Sequence, residues 1–226
     1  MRKEALFRAV GNIRERCAAD RFPIDSRELV MRACRNPEIE IIHFSDARIG
    51  GLLCREKNVT RVALNALHSG ARRNFFCAHE LIHYCLHGDR AKMWVCGDPS
   101  GGGVIAGADA YAEWQANAGA AELLMPYARV IPEFADALSV RRPFFREQHL
   151  RDMYESMARK YFVSGTVMEY RVNELIYETI QYVSGTPIEQ VTLMSRREQS
   201  KRGVGRYSPL SVYDRIHNAD TSAMNL

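Results

Sequence analysis

From residue 3 to residue 19, apolar side chains recur at three- and four-residue intervals. Ala5, Leu6, Ala9, Val10, Ile13 and Cys17 share one face, and this spacing predicts an amphipathic helix. Pro23 and the pair Asp25-Ser26 interrupt it, with Ser26 placed to cap a second helix that runs through Ala33. The texture then changes. Residues 39–44, 52–55 and 61–65 are short β-prone runs separated by Gly50-Gly51 and Lys57-Asn58, the pattern of an antiparallel meander. A sheet of that size needs helices over one face to be stable.

Helical spacing returns over residues 72–87, with Phe76, Leu81, Tyr84 and Cys85 available for packing and Gly88 placed just past the end. Residues 97–103, Gly-Asp-Pro-Ser-Gly-Gly-Gly, form a flexible connector. No Gly-Lys-Ser/Thr follows to make it a phosphate cradle. Residues 109–124 read as an Ala-rich helix stopped by Pro126. Residues 147–161 and 166–180 read as two more helices, joined by Phe162-Val163-Ser164-Gly165 in helix-turn-helix form. After Pro187 the periodic apolars thin out, so a poorly ordered basic tail is expected from about residue 196. The chain thus divides into residues 1–145, 146–182 and 183–226.

Composition narrows the function classes only a little. The 226 residues carry a formal charge of +4, with Lys and Arg mixed among nearly as many carboxylates, which makes no polyanion-binding stripe. Glu4 and Arg8 break any apolar run at the start, and no later stretch approaches the roughly 18 apolar residues of a membrane span. A cytoplasmic protein without a membrane association is expected. The six cysteines form no Cys-x-x-Cys pair and read as reduced, mostly structural thiols.

The chemistry lies in His79-Glu80-Leu81-Ile82-His83. Residues four apart on a helix share a face about 6 Å apart along the axis, so two imidazoles can meet one ion while Glu80 stays off it. Zinc at such a site keeps a position open for water, and Glu80 would act as general base on that zinc-bound water. A third ligand is needed. His87 continues the spacing, but on a straight helix it lies about 12 Å along the axis from His79. The metzincin arrangement would demand Gly at 86 and a ligand at 89, where this chain has Leu86 and Asp89. Asp89 is thus a secondary candidate. Glu113, on the next helix, is the better one, with Asn117 one turn on to orient a ligating imidazole; Glu122 competes on that helix. Taken by itself, Glu113 reads equally well as a solvated helix carboxylate.

The run Arg72-Arg73-Asn74-Phe75-Phe76-Cys77-Ala78-His79-Glu80-Leu81-Ile82-His83 carries more than the zinc motif. With Asn65 upstream, and Glu113-Trp114-Gln115-Ala116-Asn117 and Leu123-Leu124-Met125-Pro126 downstream, it resembles the ImmA/IrrE metallopeptidase family over residues 20–130, and more loosely over 162–175. The resemblance implies an α+β, zincin-like fold: a small antiparallel sheet covered by helices, the zinc on the His-Glu-x-x-His helix, and a helix-turn-helix-like segment after it. It implies Zn2+ held by His79, His83 and Glu113, with manganese the alternative metal and Glu80 the general base. The implied substrate is a protein, a helix-turn-helix repressor of a mobile element or stress regulon.

Two positions depart from the family pattern. Ile82 stands where members usually carry Gly, and Gly119 where they carry Phe. A glycine there leaves a hole unless another side chain intrudes. The rival reading makes residues 147–180 a DNA reader and the metal structural. Against it, the would-be recognition helix holds Glu169, Glu174 and Glu178 with Arg171 alone, whereas groove docking needs Lys and Arg. Direct nucleic-acid binding is therefore not expected, and the basic cluster Arg196, Arg197, Lys201, Arg202 and Arg206 reads as a solvated tail.

Overall fold

The computed structural model describes residues 1–88, 93–97, 109–140 and 145–223. Its helices are α1 (Lys3–Arg16), α2 (Ser26–Ala33), α3 (Gly70–Ile82), α4 (Ala110–Leu124), α5 (Tyr127–Ser139), α6 (Glu147–Tyr161), α7 (Gly165–Glu174), α8 (Ile176–Val183), α9 (Arg196–Lys201) and α10 (Pro209–Ala223). The strands are β1 (Pro37–Ile42), β2 (Ile49–Glu56), β3 (Val59–Asn65) and β4 (Met93–Gly97). The class is α+β, consistent with a zincin-like fold. No helix among the described residues is long and apolar enough to cross a membrane.

The chain forms two units: Leu6–Leu124 with Arg159–Ser164, and Met1–Ala5 with Met125–Ala158 and Gly165–Leu226. The first carries the sheet, in the order β1-β3-β2-β4. The sheet is mixed rather than wholly antiparallel, because β1 runs parallel to β3 while β2 is antiparallel to both β3 and β4. The meander pattern correctly sets the β2–β3 hairpin, where Glu56 pairs with Val59 and Lys57-Asn58 makes the turn, with Lys57 left-handed at φ 47°. It fails for β1, which reaches its place beside β3 by a crossover that alternation of residues does not encode.

Gly50-Gly51 was expected between strands, yet both glycines lie inside β2. The register against β4 slips between Ile49 and Gly51, which makes Gly50 the extra residue of a bulge. A Cβ at Gly50 would fall 2.3 Å from Phe76 Cε1 on α3, so only glycine lets helix and strand approach this closely.

Asn74, on the buried side of α3, ties the sheet-bearing unit together. Ser26 N and Ser26 Oγ donate to its Oδ1 at 2.9 and 2.8 Å, and its Nδ2 donates to Ile24 O and Phe162 O at 3.0 and 3.1 Å. Ser26 is thus occupied by Asn74, and the cap of α2 falls instead to Asp25, whose carboxylate accepts from Arg27 N at 2.9 Å.

The second unit is helical. Phe134, Met168, Val172, Leu175 and Val212 are buried in its interior. The helix expected over 166–180 is two, α7 and α8, parted at Leu175; Thr179 N and Oγ1 both donate to Leu175 O. Residues 196–223, expected as a flexible tail, contain α9 and α10 instead. Ser195 and Glu198 form a capping box on α9, Val212 is buried, and His217 Nε2 donates to Leu138 O at 3.0 Å. Composition misled here because a few well-placed apolar residues suffice to dock a helix that is polar elsewhere.

Candidate metal centre

Helix α3 is capped by Ser69, whose hydroxyl accepts from Arg72 N, and its residues Asn74 through Ile82 are buried among the sheet, α2 and α4. At His83 it widens into one π-helical turn, His83–His87, a device common at functional sites. Helix α4 packs beside it, which sets Glu113 opposite the two histidines of the motif.

The ligand atoms converge. His79 Nε2 and His83 Nε2 lie 2.9 Å apart, with Glu113 Oε2 at 3.3 Å from the first and Oε1 at 3.2 Å from the second. Ligands of a tetrahedral zinc with bonds of about 2.05 Å sit about 3.3 Å apart, so the triangle is close to that required. Glu113 Oε1 has no hydrogen-bond donor although His83 Nε2 is so near. Three groups that can each offer a lone pair to one point in a buried pocket form a site for a cation. Two imidazoles and a carboxylate are the donor set of many catalytic zinc sites, and manganese accepts the same atoms.

The other nitrogen of each imidazole is also held. His79 Nδ1 lies 3.0 Å from Asn117 Oδ1, within reach of a hydrogen bond that would fix this imidazole. His83 Nδ1 lies 2.9 Å from His87 Nδ1, and His87 Nε2 is 3.2 Å from Gln115 Oε1. His87 therefore stays out of the triangle. Glu122 is buried on α4 but belongs to neither group of converging ligand atoms among the described residues. Asp89 lies outside the described residues, as do positions 98–103 of the Gly-rich connector.

Glu80 is fully buried next to the triangle, and its carboxylate oxygens meet no N–H or O–H donor, with only the weakly donating Cys96 thiol close by. Burial pushes its carboxyl up to about 7, against the pull of His79. A Cβ at Gly51 would lie 3.4 Å from Glu80 Oε1, so the strand backbone comes close to the carboxylate. Burial lowers His83 to about 4. Burial would lower His79 too, but Glu113 and Glu80 outweigh it and raise this imidazole. Glu113, which burial alone would raise, is brought down to about 2 by the two histidines. Without a cation the three titrate as one coupled group.

Strand β4 supplies what the sequence reading missed. Trp94 and Cys96 point inward, and the Trp94 ring stacks on His83 with centroids 4.3 Å apart and lies tilted against His87 at 5.4 Å. Cys96, fully buried, groups with His79 and Glu80, and burial together with Glu80 raises its thiol well above the usual range. The alternation Met93-Trp94-Val95-Cys96 ahead of Gly97 was the available signal, but four residues beside a Gly-rich run are a weak one.

The two departures noted above meet between α3 and α4. A Cβ at Gly119 would lie 3.0 Å from Ile82 Cγ2 and 3.1 Å from its Cγ1. Ile82 fills the room that Gly119 leaves, so no hole remains and the helices hold Glu113 against the histidines.

The family model Peptidase_M78, described as the IrrE N-terminal-like domain, matches residues 34–173, well over half of the chain. That span contains α3, β4, α4 and every residue of the triangle. No curated protein matches the chain.

Proposed function

The chain belongs to the IrrE N-terminal-like family of peptidases, and on that footing we propose that it is a zinc-dependent endopeptidase. In this reading His79, His83 and Glu113 hold the metal, Asn117 orients His79, and Glu80 is the general base. The observation that carries it is the convergence of His79 Nε2, His83 Nε2 and the Glu113 carboxylate into one buried triangle beside a buried Glu80.

A divalent cation there supplies Lewis acidity toward a peptide carbonyl and toward water. Glu80 takes the proton that the attacking water loses and delivers it to the amine as the carbon–nitrogen bond breaks. A carboxyl with a pKa of about 7 can do both near neutral pH. Buried and with only the weak Cys96 thiol beside it, the Glu80 carboxylate has room to accept a hydrogen bond from the water. The substrate we propose is a protein, a helix-turn-helix repressor of a mobile element or stress regulon, cleaved in the cytoplasm. This finer assignment rests on the family resemblance. The DNA-reader alternative has little support, because Arg171, the one basic residue of α7, is buried and donates to Met125 O at 3.0 Å and to Glu174 at 2.8 Å.

The test is to load the purified protein with zinc or manganese, incubate it with the helix-turn-helix repressor encoded nearest its gene, and map the fragments by mass spectrometry. Glu80→Gln is expected to keep its metal and lose about 10²–10⁴-fold in rate. Equal cleavage by the variant and the wild type would reject the mechanism.

A further inference from the structure

We propose that His87 is a positioning residue for the metal. It accepts a hydrogen bond from His83 and passes the constraint to Gln115, so that His83 is held in the one tautomer that can ligate. The proposal rests on the metal-site reading above.

Proton counting fixes the direction of the chain. His83 Nε2 faces His79 and Glu113, so a ligating His83 carries its lone pair there and its proton on Nδ1. Nδ1 of His83 is 2.9 Å from Nδ1 of His87, which must then offer a lone pair. The proton of His87 consequently sits on Nε2, and that atom is 3.2 Å from Gln115 Oε1, a carbonyl-type oxygen able to accept it. With Gln115 Oε1 facing His87 and His83 Nε2 turned to the metal, each of these contacts pairs a donor with an acceptor. The amide oxygen of Gln115 thus selects the His87 tautomer, and His87 selects that of His83.

Packing keeps the relay aligned. His83, His87 and Gln115 are all buried, and Trp94 lies against both imidazoles. The π-helical turn changes the angular step between His83 and His87, so their Nδ1 atoms face each other. The result parallels His79, whose Nδ1 meets Asn117 Oδ1 at 3.0 Å. Each imidazole of the triangle thus has its own acceptor behind it. Such partners commonly change metal affinity about 10–100-fold.

The test compares wild type, His87→Phe and His87→Gln by chelator competition for zinc, with the melting of the metal-free proteins as a check on folding. His87→Phe keeps a flat ring against Trp94 but offers no acceptor, and its zinc Kd is expected to rise about 10–100-fold with melting little changed. His87→Gln restores an acceptor oxygen and is expected to recover most of the affinity. Should His87→Phe fail to fold, Gln115→Leu carries the test, with an expected loss of about 10-fold. Unchanged zinc affinity in His87→Phe or Gln115→Leu, or a His87→Gln that binds as weakly as His87→Phe, overturns the proposal while leaving the metal site standing. A wild type that binds no zinc overturns both.

Discussion

The two units bury charge in opposite ways. In the helical unit, Lys3 Nζ donates to Glu178 Oε1 at 2.9 Å and to Glu174 O at 3.1 Å, and the same Glu178 oxygen accepts from Met194 N at 3.0 Å, so this carboxylate faces an opposite charge even though its Oε2 has no hydrogen-bond partner. Arg171 is likewise answered by Met125 O and Glu174. In the sheet-bearing unit, Glu80 meets no N–H or O–H donor and has only the Cys96 thiol beside it, and His79, His83 and Glu113 turn ligand atoms toward one another. Burying a charge without a partner is costly, so a protein that does it must gain something else by it. A buried charge met by its opposite holds a fold together; one left without its opposite marks where a ligand or a reacting group belongs.

On that contrast, breaking a paired charge destabilises and neutralising an unpaired one stabilises. The largest effect is expected for Lys3→Met, which strands the buried Glu178 carboxylate and should cost about 3–5 kcal/mol in urea unfolding. Adding Glu178→Gln, which keeps an acceptor for Met194 N, should recover most of the loss. Glu80→Gln should do the reverse in metal-free protein. The Glu80 carboxyl ionises near 4.5 when unfolded and near 7 when folded, so folding is penalised increasingly as the pH rises from 4.5 to 7. The variant is therefore expected to unfold later than wild type above pH 7, by up to about 3 kcal/mol, with the difference gone below about pH 4.5. Wild type and variant with parallel stability–pH curves would show that Glu80 is not a strained charge.

The smallest effect tests whether location or completion decides the sign. Ser26 and Asn74 are a completed pair inside the sheet-bearing unit, and Ser26→Ala is expected to destabilise by about 1–3 kcal/mol in thermal melts. A stabilising Ser26→Ala would mean that the unit, not the state of its hydrogen bonds, sets the outcome.

Local periodicity made most helices legible: α1, α2, α4 and α6 fall close to where apolar spacing puts them, because an amphipathic stripe is a short-range property. The meeting of His79 with His83 was readable for a related reason, since four-residue spacing on one helix places side chains without any knowledge of the rest, whereas Glu113 on the next helix stood out through the family resemblance. What lay beyond reach depends on segments distant in sequence. The parallel pairing of β1 with β3, the capture of Ser26 by Asn74 and the face of Trp94 on His83 all need the chain to return on itself. His87 was excluded as a ligand on straight-helix geometry, but that argument contained no hint of the π turn or of Gln115 waiting on α4. The division between α7 and α8 was hidden because both halves continue one apolar stripe.

The Ile82–Gly119 contact bears on how such a chain can change. If an ancestor carried the family's Gly and Phe at these two places, the exchanges could not have come in either order with equal ease. Shrinking position 119 first leaves a tolerable void beside a flexible neighbour, whereas enlarging position 82 first drives a branched side chain into an aromatic ring. The smaller residue on α4 is then the permissive step, and Ile82 on α3 the one that entrenches it. Afterwards neither helix can be swapped alone for a relative's without undoing the fit.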